Sequence, residues 1–408
     1  DKKKSILFLD ASSQLSNNSS FFSKSYGLSN YEIVNTIEIA EKDNEIETIL
    51  IDVSLMNLSA TDASEIGESL KSFRSSGKKV ITYGDFYFQN QYLLASYSDE
   101  IILNPFGLVY LEGYKNYRFY LKEALDKINI NINTFVAGDY KSASEIFTNE
   151  SMSKDSKSES KRFLSALWNE WLMNVSSNRE MAISIQDYIN NIGSLITSSN
   201  KKGSNLALDI GLVDKIMNRI EMEDYLTNLD SNRDYFLKIS KYHEISKKNL
   251  SQNKLAMIDA KGEIVDGDVI DNKLSSGHFS RLLKKVKKGN YQGLLIRLNT
   301  PGGSGFASEI IRQELIQLKD LEIPIIVSMA DIAASGGYWI SANVDEIWAS
   351  PYTLTGSIGV WTALPDFGDS LKDIGINYDG VSTTQFNPSL ITGPDDNSKM
   401  LIQSVVDS

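Results

Sequence analysis

The chain has 408 residues, enough for two or three domains with cores of their own, and carries a net charge of −12 with a pI near 4.9. That acidity, without a clustered Lys/Arg stripe, excludes general nucleic-acid binding. Cysteine is absent, which removes thiol nucleophiles, thiolate metal sites and disulfides together, and no apolar run reaches the roughly 18 residues that a membrane-spanning helix needs.

In chain order, the first strand is expected at Ile6-Leu7-Phe8-Leu9-Asp10 and the second at Thr48-Ile49-Leu50-Ile51-Asp52. A helix starts at Ala63-Ser64-Glu65-Ile66 and keeps Ile66, Leu70 and Phe73 at helical spacing. Residues 115–128 and 161–175 read as amphipathic helices. The first carries Leu121, Leu125 and Ile128; the second an aromatic stripe, Phe163, Trp168 and Trp171, suited to a core or a subunit interface. Between them lie Gly138-Asp139-Tyr140-Lys141-Ser142-Ala143 and a charged, Ser-rich loop at 149–161 that is expected to be mobile. Residues 227–253 are polar and Lys-rich, show no core face, and read as a connection.

The pattern then begins again. Leu255-Ala256-Met257-Ile258-Asp259 repeats the opening strand, Gly293 to Arg297 the second, and Ala307-Ser308-Glu309-Ile310 the helix start. Asp85, Tyr92, Asp99, Glu100, Ile101, Pro105, Leu108 and Gly113 match Asp331, Tyr338, Asp345, Glu346, Ile347, Pro351, Leu354 and Gly359, each pair 246 positions apart. The chain therefore reads as a tandem duplication, 1–226 and 254–408 joined by 227–253, of an α/β unit with mainly parallel sheets and flanking helices. The second copy is the shorter: the counterpart of the Phe163 helix would begin near Met400, so that copy is expected to be truncated at its C-terminus.

The copies differ where chemistry would sit. An apolar strand, Ile325 to Met329, leads to Ala333-Ala334-Ser335-Gly336-Gly337, a serine at a sharp turn before a helix, with glycine after it to aim a backbone N–H at a developing oxyanion. Alone, such a stretch is a tight turn with a capping serine. Its first-half counterpart, however, has Gln89 in place of Ser335, and Val53 to Ser59, without glycine, in place of Asn299-Thr300-Pro301-Gly302-Gly303-Ser304-Gly305. The serine thus needs a base. The two histidines, His243 and His278, stand in polar surroundings and read as solvated surface residues. A lysine kept neutral by burial can serve. Lys141, between small or aromatic residues after an apolar strand, is the best candidate.

Together, Asn299 to Ser304, Ala333 to Trp339, Leu354-Thr355-Gly356-Ser357-Ile358-Gly359 and Gly138 to Ala143 resemble the signal peptide peptidase A (protease IV) family, long tandem-repeat form. The resemblance covers essentially the whole chain and implies a ClpP/crotonase-like fold and a serine endopeptidase with a Ser-Lys dyad. It implies Ser335 as nucleophile, Lys141 as general base, Gly303 and Gly336 as oxyanion donors, and Ser357 as the residue that orients the lysine. It further implies apolar peptide substrates such as signal-peptide remnants, no cofactor or metal, and a ring-like homotetramer. An N-terminal anchor, absent from this chain, would hold the enzyme to the inner membrane with its catalytic domain on the extracytoplasmic side. Thr300 and the shortened C-terminus depart from the family pattern. Two other readings fit parts of the sequence: crotonase-type acyl-CoA chemistry, which uses the oxyanion donors alone, and a non-catalytic assembly module. Whether Lys141 and Ser335 meet within one chain or between subunits is not readable from sequence.

Overall fold

The computed structural model describes residues 5–14, 27–138, 141–199, 201–229, 236–246, 254–269, 272–381, 383–384, 389 and 391–407. Asp139 and Tyr140 of the lysine motif and parts of the 227–253 connection lie outside the described residues.

The first half supplies β1 (Ser5–Leu9), β2 (Ile46–Asp52), β3 (Lys79–Gly84), β4 (Tyr87–Phe88), β5 (Glu100–Leu103), β6 (Val109–Tyr110), β7 (Asn131–Ala137), β8 (Lys215–Ile216) and β9 (Phe236–Lys238). The second supplies β10 (Ala256–Lys261), β11 (Glu263–Val265), β12 (Lys273–Ser275), β13 (Leu294–Thr300), β14 (Ile325–Ala334), β15 (Glu346–Ala349), β16 (Leu354–Gly356) and β17 (Val360–Asp366). The architecture is mixed α/β with parallel sheets. One sheet runs β8-β5-β3-β2-β1-β9; the other runs β10-β13-β14-β15, with β16 also on β14. Strands related by the 246-residue offset occupy the same order in both.

Strands rich in Ile, Leu and Val bury both faces of the first sheet, whereas β10 and β13 of the second bury alternate residues. In the first half Leu7, Ile49, Ile51 and Val80 meet Ile66, Leu70 and Phe73 of the Ala60–Ser75 helix in one core. In the second, Ile296, Leu298, Val327 and Met329 meet Ile311 and Leu315 of the Gly305–Lys319 helix. β13 buries every second residue in this core and turns Arg297 the other way. There Arg297 Nη2 pairs with Glu65 Oε1 at 2.7 Å, a contact between the halves.

The halves are also joined by a ladder. β17 pairs antiparallel with β7, from Val360↔Ala137 to Asp366↔Asn131. This is the one antiparallel pairing among the described strands.

Four expectations need correction. The 115–128 segment is helical only at Lys122–Lys127; Tyr114 to Tyr120, which stand 246 positions before β17, are rich in aromatics that favour an extended chain. Residues 154–161 are not a loop but the start of the Lys154–Asn178 helix. Ser153 caps it, and Glu145 accepts the hydroxyls of Ser153 and Ser156 at 2.6 and 2.7 Å. The aromatic stripe of that helix packs into the core, with Trp171 fully buried and stacked on Trp168 at 5.0 Å. Part of the 227–253 connection is structural: β9 extends the first sheet beside β1, and the Ile239–Ser246 helix buries Ile239, Tyr242 and His243. His243, expected in solvent, is 4 % exposed and shares a 2.7 Å hydrogen bond with Thr36 Oγ1. His278 is half-buried in the first turn of the Ser276–Lys288 helix.

Candidate active site

Ser335 follows β14 and caps the start of the short Gly336–Ser341 helix. Its φ of 54° and ψ of −118° are costly for a residue with a side chain, on the order of 1–3 kcal/mol. The surroundings impose them: the Ser335 N–H donates to the Gly356 carbonyl at 2.8 Å, and its own carbonyl accepts the Trp339 N–H at 3.0 Å.

Glycine is required around it by space. A Cβ on Gly302 would lie 2.7 Å from Ser335 Cβ, one on Gly336 2.3 Å from Ser308 Oγ, and one on Gly337 2.6 Å from Thr300 Cγ2. The Pro301-Gly302-Gly303 turn therefore runs directly against the serine. Thr300 Oγ1 steadies this turn by accepting the Gly302 N–H at 3.1 Å, so the departure at this position keeps a hydroxyl in use.

The two candidate oxyanion donors lie beside the pairing that holds the turn and the helix start. Ile264 donates to the Gly302 carbonyl and accepts the Ser304 N–H, both at 2.9 Å, a parallel bridge that turns the intervening Gly303 N–H away from Ile264. Gly336 is the first residue of its helix, so its N–H has no intrahelical acceptor.

Lys141 arrives from the other half. β7 ends at Ala137, Gly138 turns the chain, and the Lys141 N–H donates to the Gly138 carbonyl at 3.1 Å. Its Nζ lies 3.2 Å from Ser335 Oγ, 2.9 Å from the Ser357 carbonyl and 3.2 Å from Ser357 Oγ, all within one chain. Close passage of the 356–359 loop makes this possible: a Cβ on Gly359 would lie 2.5 Å from the Ala137 carbonyl. Ser357 adopts φ 50° within that loop. Burial lowers the Lys141 ammonium from its ordinary value, and no ion pair to it forms among the described residues. An amine whose ammonium form is disfavoured by burial, placed beside a serine hydroxyl, suits the removal of that hydroxyl's proton.

The sequence-selected residues Ser335, Lys141, Ser357, Gly303 and Gly336 thus share one neighbourhood. The first-half counterpart is closed. Gln89 Oε1 accepts the Gly113 N–H at 2.8 Å, bridging to the counterpart of Gly359 across the gap that Lys141 fills in the second half.

Sequence reasoning missed Ile264, whose strand β11 braces the glycine turn, and the β7–β17 ladder that delivers the lysine. β-favouring residues at alternate positions of β7, Ile132, Thr134 and Val136, were a signal for that strand, though not for its partner.

The family model for peptidase family S49 matches residues 72–251 and 317–408. Protease 4 of Haemophilus influenzae is 36% identical over 384 residues, 88% of this chain and 60% of that protein. Protease 4 of Salmonella typhi is 38% identical over 371 residues, 87% and 58% respectively. The chloroplastic serine protease SPPA of Arabidopsis thaliana is 25% identical over 377 residues, 88% and 54%. The chain spans little more than half the length of these relatives. With its two-part match to the family model and these extended identities, the chain belongs to peptidase family S49.

Proposed function

We propose that this chain is the catalytic part of a serine endopeptidase whose base and nucleophile are Lys141 and Ser335. The observation that carries the reading is the 3.2 Å approach of a desolvated lysine to a strained serine in a protein without cysteine. Neutral Lys141 Nζ takes the Ser335 Oγ proton as Oγ bonds to the scissile carbonyl carbon. The Gly303 and Gly336 N–H groups hold the resulting oxyanion. Collapse expels the amine product, which leaves with the proton from Lys141. Water then attacks the acyl carbon, returns a proton through Lys141 and frees Ser335. Ser357 keeps Nζ pointed at Ser335.

The proposed substrates are extended apolar peptides such as cleaved signal peptides, lying beside β16, which pairs only with β14 among the described strands. Exposed Phe306, Leu354, Ile358 and Val360 supply apolar surface there. No helix among the described residues is long and apolar enough to cross a membrane. Attachment to the inner membrane is assigned to an N-terminal anchor outside this chain, with the dyad on the extracytoplasmic side. Assembly as a ring-like homotetramer is supported by exposed segments offset from the β7–β17 ladder. Tyr117 and Phe119, each 91% exposed, lie where the first half would carry its β17, and Val381, 103% exposed, lies where the second would carry its β7. Head-to-tail pairing of these segments between copies closes a ring.

A fluorophosphonate probe tests the dyad. Mass spectrometry is expected to find the adduct on Ser335, and Lys141→Ala to slow labelling at least about 10²-fold. Labelling elsewhere, or at full rate without Lys141, overturns it. Light scattering that finds only monomer overturns the ring.

A further inference from the structure

β13 and β14 do not pair evenly. Leu294 to Leu298 face Ile325 to Met329 one for one, but the next registered pair is Thr300 with Ala333. Asn299 therefore opposes three residues, Ala330, Asp331 and Ile332. A bulge bends its strand and re-aims the side chains beyond it. Here the side chain beyond it is Ser335.

The groups freed by the bulge are held individually. Asn299 Oδ1 accepts the Ile332 N–H at 3.2 Å, and Asn299 Nδ2 donates to Asp331 Oδ2 at 3.0 Å. Thr353 Oγ1 donates to the Ala330 carbonyl at 2.7 Å. Beyond the bulge β14 pairs with β16, Ile332↔Leu354 to Ala334↔Gly356, and this register sets the Ser335 N–H on the Gly356 carbonyl. One side chain thus grips both the backbone and the carboxylate at the bend, and its bond to the carboxylate is charge-assisted.

The first half serves as an internal control. Registered pairs of β2 and β3 end at Asp52↔Tyr83. Val53 stands at the position of Asn299 and has no amide to offer. Asp85, the counterpart of Asp331, bonds Tyr83, Asn104 and Arg219 instead. The copy with Gln89 in place of the serine lacks the clamp. Asn299 and Asp331 are only half-buried and lie outside the apolar core cluster of the second half.

We propose that Asn299 is a positioning residue for Ser335: by clamping Asp331 and the Ile332 N–H it fixes the bulge that aims the nucleophile at Lys141. The inference rests on the reading of Ser335 as nucleophile. Asn299→Asp sets a second carboxylate against Asp331. In the full chain it is expected to lower kcat for an apolar peptide, and the rate of Ser335 labelling, about 10²-fold with KM little changed. Adding Asp331→Asn exchanges donor and acceptor and rebuilds the clamp, so the double variant is expected to recover to within roughly fivefold of wild type. A role in folding alone lowers only the folded fraction, so with rates normalised to folded protein measured by circular dichroism it leaves kcat at the wild-type value and overturns the proposal. Wild-type labelling in Asn299→Asp, or a double variant no faster than the single, overturns the proposal. Should Asn299→Asp not fold, Asn299→Ala removes both bonds without a second charge; a kcat equal to wild type then overturns it. If wild type neither labels nor cleaves, the reading of Ser335 fails first and the positioning role falls with it.

Discussion

Val360 faces Ala137 at one end of the ladder between the halves, and Lys141 stands just past that end. The distance from Nζ to Ser335 Oγ is thereby set by backbone pairing as well as by side-chain packing.

Removing the amine is the most direct test of that arrangement. Lys141→Ala is expected to lower kcat/KM by about 10²–10⁴-fold. Lys141→Arg is expected to be no better, because a guanidinium stays protonated and cannot take the serine proton. Peptide hydrolysis measured on folded protein checks both; substantial activity in the arginine variant contradicts the assignment.

The pH profile has a definite sign. Burial lowers Lys141 from 10.5. The folded enzyme therefore gains its neutral base at a pH below that value, and kcat/KM is expected to rise with pH through the lowered pKa and then level off. Between the folded and the unfolded pKa the unfolded chain binds more protons at this lysine. Its contribution to stability consequently increases with pH across that window and is constant below it. A pH–rate series checks the limb, which should vanish in Lys141→Ala labelling.

Gly302 and Gly356 both have positive φ, 97° and 87°, but only a Cβ at Gly302 meets the nucleophile. Both alanine variants are expected to lose stability on the order of 1–3 kcal/mol. Only Gly302→Ala should also slow labelling about 10²-fold. Urea midpoints and labelling rates measured side by side separate strain from crowding.

Ser357→Ala leaves Lys141 bonded to Ser335 Oγ and to the residue 357 carbonyl. Loss of one hydrogen bond of about 1 kcal/mol corresponds to roughly a fivefold fall in kcat. A fall as large as that of Lys141→Ala would mean that the hydroxyl does more than orient.

Trp171 is fully buried and its indole N–H donates to the Gln89 carbonyl at 3.3 Å. Trp171→Ala is expected to cost about 3–5 kcal/mol, read from urea unfolding followed by circular dichroism.

The sequence suggests a repeat because residue identities persist at a fixed offset, and the contrast with Gln89 is what singles out Ser335 as a candidate. Strands such as β2 and β13 were legible because long apolar runs leave few alternatives. The 227–253 stretch misled because β9 is only three residues long and the apolar face of the following helix rests on Ile239 and Tyr242, too few to set a period. His243 was misplaced for a related reason: its hydrogen-bond partner is Thr36, 207 positions away. Residues 154–161 hid a helix because its first turns face solvent and are polar. The β7–β17 ladder joins segments more than 220 positions apart, which no local pattern encodes.

That ladder has a consequence in time. The base lies 194 residues ahead of the nucleophile, so at synthesis rates of about 5–20 residues per second it emerges roughly 10–40 s earlier. During that interval the newborn chain carries an amine with nothing to activate. Even after Ser335 emerges, the dyad cannot close until β17, the strand after it, has been made and has docked on β7. On the proposed reading, the nascent chain therefore holds no complete dyad until its two halves join.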